Sequence, residues 1–253
     1  MKLDINLIKQ IDEITHSQDF HFLKIRNNYR YERKYTIPKY HSLIATEQII
    51  KENSFLFREI FYQRQINNIY FDTEELSDYH DNVMGVSNRK KIRIRWYGNT
   101  FGEIKKPVLE IKIKKGIVGD KWSYPLQAFH LNNSFNLEII KKVFEKSNLP
   151  LPILEMVKPV FPSLLNSYQR KYFLSADNRY RITLDFDLLY YKMERNLNHC
   201  FGKPFHDNNH IVELKYGLDD EKRANEISVQ FPFSINKNSK YVNGINKTKH
   251  LPE

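Results

Sequence analysis

The stretch RKKIRIRWYGNTFGEIKKPVLEIKIKK, residues 89–115, decides how the rest of the chain reads. In its first part Lys91, Arg93, Arg95 and Tyr97 alternate with Ile92, Ile94 and Trp96. In its last part Glu110, Lys112 and Lys114 alternate with Leu109, Ile111 and Ile113. Side chains on a strand point to opposite faces in turn, so each segment carries charge on one face and aliphatic bulk on the other. An antiparallel sheet with one solvated side gives the same alternation. The pattern recurs, however, at Arg30–Ile37 (RYERKYTI), Arg179–Asp187 (RYRITLDFD) and His210–Tyr216 (HIVELKY), and at Tyr168, Arg170 and Tyr172 late in the extended Pro159–Phe173. Each repeat sets Arg, Lys or Glu on the polar face. The expected fold is therefore α+β: a closed antiparallel β-barrel with a charged interior and surrounding helices, whose polar face lines a site for a polyanion.

Working outward, residues 1–28 form an N-terminal segment with Leu3, Ile5, Leu7, Ile8, Ile11 and Ile14 at helical spacing. Pro38 ends the first strand, and His41–Glu52 carries a helical pattern. Asn67–Asp72 (NNIYFD) reads as a strand that stops where Asp72 or Thr73 can cap a helix, and that helix ends near Gly85. Gly116 and Gly119 bracket a tight connection into Lys121–Leu126. Helices are expected at Phe135–Glu145, Asp219–Val229 and Asn236–Gly244, with a loop over Asn196–Asn209. No repeat or linker divides the chain, so one unit over 29–245 is expected, followed by a tail at 246–253.

Bulk composition narrows the partners. Lys and Arg total 40 against 30 Asp and Glu, a formal charge of +10, which favours an acidic partner. Hydrophobic residues make up 41 % and aromatics 14 %, enough for a packed core. Cys200 is the single cysteine, which excludes an intrachain disulfide and a cysteine-based zinc site. No apolar run approaches the ~20 residues of a membrane span, and the first twenty residues lack the apolar core of a signal peptide, so a cytoplasmic protein with no span is expected. Nucleic acid is not expected, because the charges alternate into an interior and the aromatics mostly fall on apolar faces.

The polar faces collect Lys34, Arg93, Arg95, Lys112, Arg170, Arg181 and Lys215 with Glu32, Glu110, Asp185, Asp187 and Glu213. Arg forks match phosphate oxygens, and carboxylates with all-oxygen ligation suit Mg²⁺ or Mn²⁺ bridging to phosphate. A salt bridge to a cationic neighbour is the alternative for any one of these acids; Glu213 is the first choice for the metal. The sequence has no GxxxxGK[ST] loop, no HxH or HExxH pair and no Ser-His-Asp signature. Transfer of a phosphoryl group between phosphates needs positioning, charge neutralisation and a metal, with little covalent help from the protein.

RYERKY, NIYFDT, YHDNVMGVSNRKKIRIRWYG, LEIKIKKG, SYQRKYF, YRITLDFD, VELKY and NKNSKYVNG, in this order, resemble the VTC domain, the polyphosphate-polymerase branch of the triphosphate tunnel metalloenzymes, also called CYTH-like. The likeness runs from Tyr29 to Gly244. It implies a β tunnel ringed by helices and transfer of the ATP γ-phosphate onto a growing polyphosphate chain, with Mn²⁺ or Mg²⁺. By this resemblance Lys34 matches the tunnel lysine, Arg93 and Arg95 the RxR pair, Lys112 the lysine of an ExK strand, Tyr168 and Arg170 a YxR pair and Arg181 the arginine of the next strand. Glu213 matches the metal-binding glutamate, and Lys237, Ser239 and Lys240 match a KxSK that holds the phosphate chain. The wider superfamily opens with ExExK, whereas Arg30 here replaces the first acid, which weakens a two-metal hydrolase. With neither an SPX domain nor membrane spans in the sequence, control by inositol phosphates and export through the same polypeptide are not expected. Two rival readings stand beside the polymerase: a metal-dependent tri- or polyphosphatase, and a module that binds polyphosphate without turnover.

Overall fold

The alternating segments form the strands of one large antiparallel sheet in the computed structural model, which describes residues 30–115, 118–193 and 202–249. The expected N-terminal helix, Gly116, Cys200 and the end of the tail lie outside the described residues. Strands β1 (Arg30–Pro38), β2 (Arg58–Asp72), β3 (Asn88–Tyr97), β5 (Val108–Lys115), β6 (Val118–Pro125), β8 (Phe161–Leu174), β9 (Arg181–Lys192) and β11 (Asn209–Gly217) are ordered β1-β11-β9-β8-β2-β3-β5-β6. The short β10 (Phe205–His206) adds to β9, and β4 (Gly102–Ile104) pairs with β7 (Phe129–Leu131) apart from the main sheet.

Among the described residues the sheet is not closed into a barrel by hydrogen bonds, which corrects the expectation. Two things hold its ends together instead. The outer edge of β1 is taken by the segment before the last helix, through a bridge between Tyr35 and Ile235 and the Asn236 N–H donating to Lys34 O at 2.9 Å. Across the enclosed side, Lys112 of β5 lies 3.7 Å from Glu32 of β1, although six strand-to-strand steps separate these strands along the sheet. The curvature therefore brings the polar side chains of distant strands face to face.

The aliphatic halves of the alternation point outward and are covered by helices. Ile92, Ile94, Trp96, Leu109 and Ile111 pack under α3 (Leu137–Lys146) and α4 (Leu151–Val157), and Tyr35, Ile182, Leu184, Val212 and Leu214 under α1 (Leu43–Glu52) and α5 (Glu221–Ser228). Local chemistry sets where these helices begin. Ser42 accepts from Ala45 N–H and Asn136 from Ile139 N–H, each satisfying a donor that the first turn leaves open. Pro150 and Pro152 open α4, where a missing N–H costs nothing.

Two elements sit on the concave face, at one end of it. Helix α2 (Ser77–Met84) is capped by Asp72, which accepts from the N–H groups of Thr73, Asp78 and Tyr79. The last helix, α6 (Lys240–Lys249), runs past the expected Gly244 and lays Tyr241 and Ile245 against Tyr70, Leu164, Leu188 and Tyr190. Tyr241 stacks on Tyr70 at 5.1 Å and donates its hydroxyl to Asp72, so one buried carboxylate ties both helices to β2. Gly244 faces the sheet so closely that a Cβ there would meet Leu164 Cδ2 at 2.3 Å and Tyr190 Cδ1 at 2.7 Å.

That close approach is testable. Gly244→Ala forces α6 off buried Leu164 and Tyr190, and overpacking of this kind costs about 1–3 kcal/mol. A drop of roughly 2–12 °C in the thermal midpoint is expected for a chain of this size, and an unchanged midpoint would mean that α6 does not dock there.

Candidate active site: a cationic face enclosed by the sheet

Nine basic side chains, Lys34, Lys91, Arg93, Arg95, Lys112, Lys121, Arg170, Lys215 and Lys240, share the concave face with four carboxylates, Glu32, Glu110, Asp185 and Glu213. The strand register explains the grouping, since directly opposed residues of an antiparallel pair point the same way. Lys34 faces Glu213, Glu213 faces Thr183, Asp185 faces Arg170, Arg93 faces Glu110, and Lys91 faces Lys112.

Each carboxylate organises a set of cations. Asp185, with no exposed surface, takes both ends of the Arg170 fork and the ammonium of Lys240 at 2.5 Å. Glu110 accepts two bonds from Arg93, at 2.6 and 2.9 Å, and one from Lys121 at 2.7 Å, with Arg95 at 3.5 Å. Glu213 is held more loosely, by Lys215 at 3.0 Å, Lys34 at 3.5 Å, Arg170 at 3.6 Å and Lys240 at 3.7 Å. Glu32 contacts Lys34 at 3.0 Å and Lys112 at 3.7 Å. Burial alone would raise all four carboxyls, but the surrounding cations hold each below its ordinary value, Glu110 and Glu213 well below.

The lysines divide by their neighbours. Burial disfavours the charge of Lys34 and Lys240, but Glu213 with Glu32, and Asp185 with Glu213, raise both above the usual range. Lys91 has no carboxylate partner among the described residues; its ammonium donates to Ser239 Oγ at 2.9 Å. Burial, with Lys34, Lys112, Arg89 and Arg93 adding repulsion, brings it down to about 7. Lys112 is lowered as well, by burial first, with Lys34 and Lys215 opposing the pull of Glu32 and Glu213. Compensation is thus least complete around Lys91 and Lys112, where an added anion would be stabilised most.

Most of the residues expected in the site are brought together here: Lys34, Arg93, Arg95, Lys112, Arg170, Glu213, Ser239 and Lys240, with Tyr168 buried under Arg170 and Lys240 Nζ, whose distances to its ring are 5.3 and 5.0 Å. Burial would raise the Tyr168 phenol, but Arg170, Arg95 and Lys240 bring it below its usual value. Arg181 sits at the rim, exposed at the first position of β9 opposite Lys215 and Leu174, with no ion pair among the described residues. Lys237 is exposed in the segment before α6. Asp187 leaves the face altogether. The β8–β9 register slips by one residue between Ser167 and Gln169, and Asp187 takes a left-handed φ of 50° there, pairing with Lys39 at 3.8 Å.

Lys91, Lys121 and Asn68 were not anticipated as site residues. Lys91 belongs to the same alternation as Arg93 and Arg95, which marks it in the sequence; Asn68 orients Arg95 by accepting from its Nε at 3.0 Å while donating to Asn166. Thr183 Oγ1, between Glu213 and Tyr172 in the register, is buried with no hydrogen-bond partner among the described residues, an orphan that a ligand oxygen would satisfy.

A divalent cation has a restricted place. The described residues hold no cluster of three or more His, Cys, Asp or Glu suited to a metal. Asp185 and Glu110 are saturated by Arg forks and short lysine contacts, whereas Glu213 and Glu32 are held at 3.0 Å or beyond and keep acceptor capacity. Mg²⁺-type ions commonly bind through one or two carboxylates and complete their shell with substrate phosphates and water. Glu213 with Glu32 fits that arrangement.

The sequence profile of the VTC domain family matches residues 29–249. The chain belongs to the VTC domain family. No curated protein sequence matches this VTC domain. Similar solved structures include a protein from Vibrio parahaemolyticus described as an adenylate cyclase, at TM-score 0.48 and 15 % identity over 86 % of this chain and 99 % of that one. Another is a protein from Pyrococcus horikoshii, at 0.47 and 13 % over 85 % and 97 %. A third is from Hippeastrum, described as an adenylyl cyclase with a dominant triphosphatase activity, at 0.45 and 14 % over 84 % and 93 %.

Lys91 gives the site a signature in pH. Its folded-state value, about 7, lies below the ordinary lysine value of 10.5, so the protonated form destabilises the fold, and the penalty is fully present below pH 7 and fades between 7 and 10.5. Lys91→Met should therefore be more stable than the wild type at pH 6, with the gap narrowing by pH 10. Denaturant midpoints that differ equally at both pH values would remove Lys91 from the least compensated cluster.

Proposed function

We propose that this VTC domain transfers the γ-phosphate of ATP onto inorganic polyphosphate, with residues 29–245 as the catalytic unit. The observation that carries this reading is the surplus of cations on one enclosed face, with Lys91 and Lys112 held below their ordinary values by burial and by the cations beside them. A string of phosphates supplies negative charge at regular spacing along such a face. Arg93, Arg95 and Arg170, fixed by Glu110, Asn68 and Asp185, present their remaining N–H groups in a set orientation to phosphate oxygens. Lys34, Lys91, Lys112 and Lys240 supply compact charge, and Ser239, Tyr168 and Thr183 polar contacts. Arg181 and Lys237 lie outside this inner set and would meet only the ends of the chain.

Mn²⁺ or Mg²⁺ bound at Glu213 and Glu32 with the substrate would neutralise charge on the phosphates. The residues do the rest by positioning. In a transition state with charge spread over the equatorial oxygens, forks held in place before the reaction stabilise that charge without reorganising. The choice of acceptor follows from the acids. All four carboxylates are held below their ordinary values by cations, so none is suited to take a proton from water near neutral pH. A terminal phosphate is already largely ionised there, with a second pKa of about 6 for phosphate esters. This favours a phosphate over water as the acceptor.

Purified protein incubated with ATP and Mn²⁺ or Mg²⁺ should yield long polyphosphate chains on a gel, together with ADP. Orthophosphate as the sole product would replace this reading with a triphosphatase, and tight, salt-sensitive polyphosphate binding without nucleotide turnover would replace it with a binding module. Arg93→Ala and Glu213→Gln should each lower transfer about 10²–10³-fold, the scale seen when one preorganised charge donor is lost. Wild-type rates in either variant would remove that residue from the site.

A further inference from the structure

The concave face has two unlike ends. Along β8, the side chains on this face run from Leu164, packed on Gly244 of α6, through Tyr168 and Arg170 to Tyr172. Along β2 they run from Tyr70, stacked on Tyr241 of α6, through Ile66 to Arg64 and Phe61, and along β3 from Arg93 to Tyr97. All three strands lead away from α6. The α6 end is filled by packed aromatic and aliphatic side chains, whereas the far end carries a group of a different character.

There the Arg64 guanidinium lies 4.8 Å from the ring centre of Phe61 and 5.6 Å from those of Tyr97 and Tyr172. Phe61 meets Tyr172 edge-on at 5.7 Å. Phe61 and Tyr97 are half exposed, at 48 % and 55 %, and Arg64 is exposed. Arg64 stands opposite Arg170 in the register, so it continues the cationic face outward; unlike Arg170, it has no ion-pair partner among the described residues. A β-bulge between Phe61 and Arg64 places both on this side of the strand. The mouth thus joins exposed ring faces to an unpaired planar cation, at the end of a groove whose interior suits phosphates.

Resting on the reading above, we infer that this aromatic and arginine shelf is the nucleoside subsite: the base of the triphosphate donor stacks on Phe61 and Tyr97 beside Arg64, with its phosphates directed inward to Arg170 and Arg95. Stacking surfaces accept any base because every base has a π face, and each stacked base is worth about 1–3 kcal/mol. Phe61, Arg64 and Tyr97 are all exposed, so none of the three presents a buried donor or acceptor to a base edge, and ATP and GTP should bind within a few-fold of each other.

Titration calorimetry of the full chain with ATP, GTP and inorganic tripolyphosphate tests this. Phe61→Ala and Tyr97→Ala, at exposed positions, should weaken both nucleotides about 5- to 100-fold and leave tripolyphosphate within about twofold, with circular dichroism confirming the fold. Equal losses for all three ligands, or none for any, would overturn the subsite, as would a preference above about 50-fold for one base. A wild type that binds tripolyphosphate but neither nucleotide overturns the subsite and leaves the phosphate groove standing. Binding of none of the three overturns both.

Discussion

Repulsion among like charges held on one side of a curved sheet is the constraint from which the other features follow. Two unit charges about 4 Å apart interact with roughly 4 kcal/mol at an effective dielectric constant of about 20, so nine cations on one face need compensation to persist. Four carboxylates provide part of it, each bonded to two or more cations. The apolar side of the sheet, buried under α1, α3, α4 and α5, supplies the stability that tolerates the remainder. The remainder is concentrated at Lys91 and Lys112, and it is what gives the face its demand for an anion.

Much of this was legible in the sequence because the side-chain period of a strand is two and these strands keep it. RKKIRIRWY and VLEIKIKK assign their inner and outer residues without ambiguity, and so do RYERKYTI and HIVELKY. The first half of β2 was not legible, since REIFYQRQ is exposed on both sides and lacks apolar alternation; its pairing with β8 defines it. Nor was the break in β9, where a one-residue bulge turns Asp187 outward and brings Leu188 and Tyr190 onto the face that α6 covers. A period-two reading carries its phase forward and cannot detect such a slip.

The unclosed sheet has a related cause. Closure by backbone pairing depends on strand count and stagger, which alternation does not encode. Here the segment of residues 235–240 occupies the free edge of β1 and then enters α6, so one stretch seals the edge, delivers Ser239 to Lys91 and delivers Lys240 to Asp185 and Glu213. The resemblance of NKNSKYVNG to a family block placed Ser239 and Lys240 in the site, but its part in holding the edge could only be seen in three dimensions.

The central claim is that the enclosed cationic face, and no other surface, receives a chain of phosphates. A crystal structure with inorganic tripolyphosphate bound addresses it most directly. The account predicts phosphate oxygens within hydrogen-bonding distance of Arg93, Arg95 and Arg170 and of at least one of Lys91 and Lys112. Ordered phosphates on the convex, helix-covered side, with the concave face left without them, would contradict it.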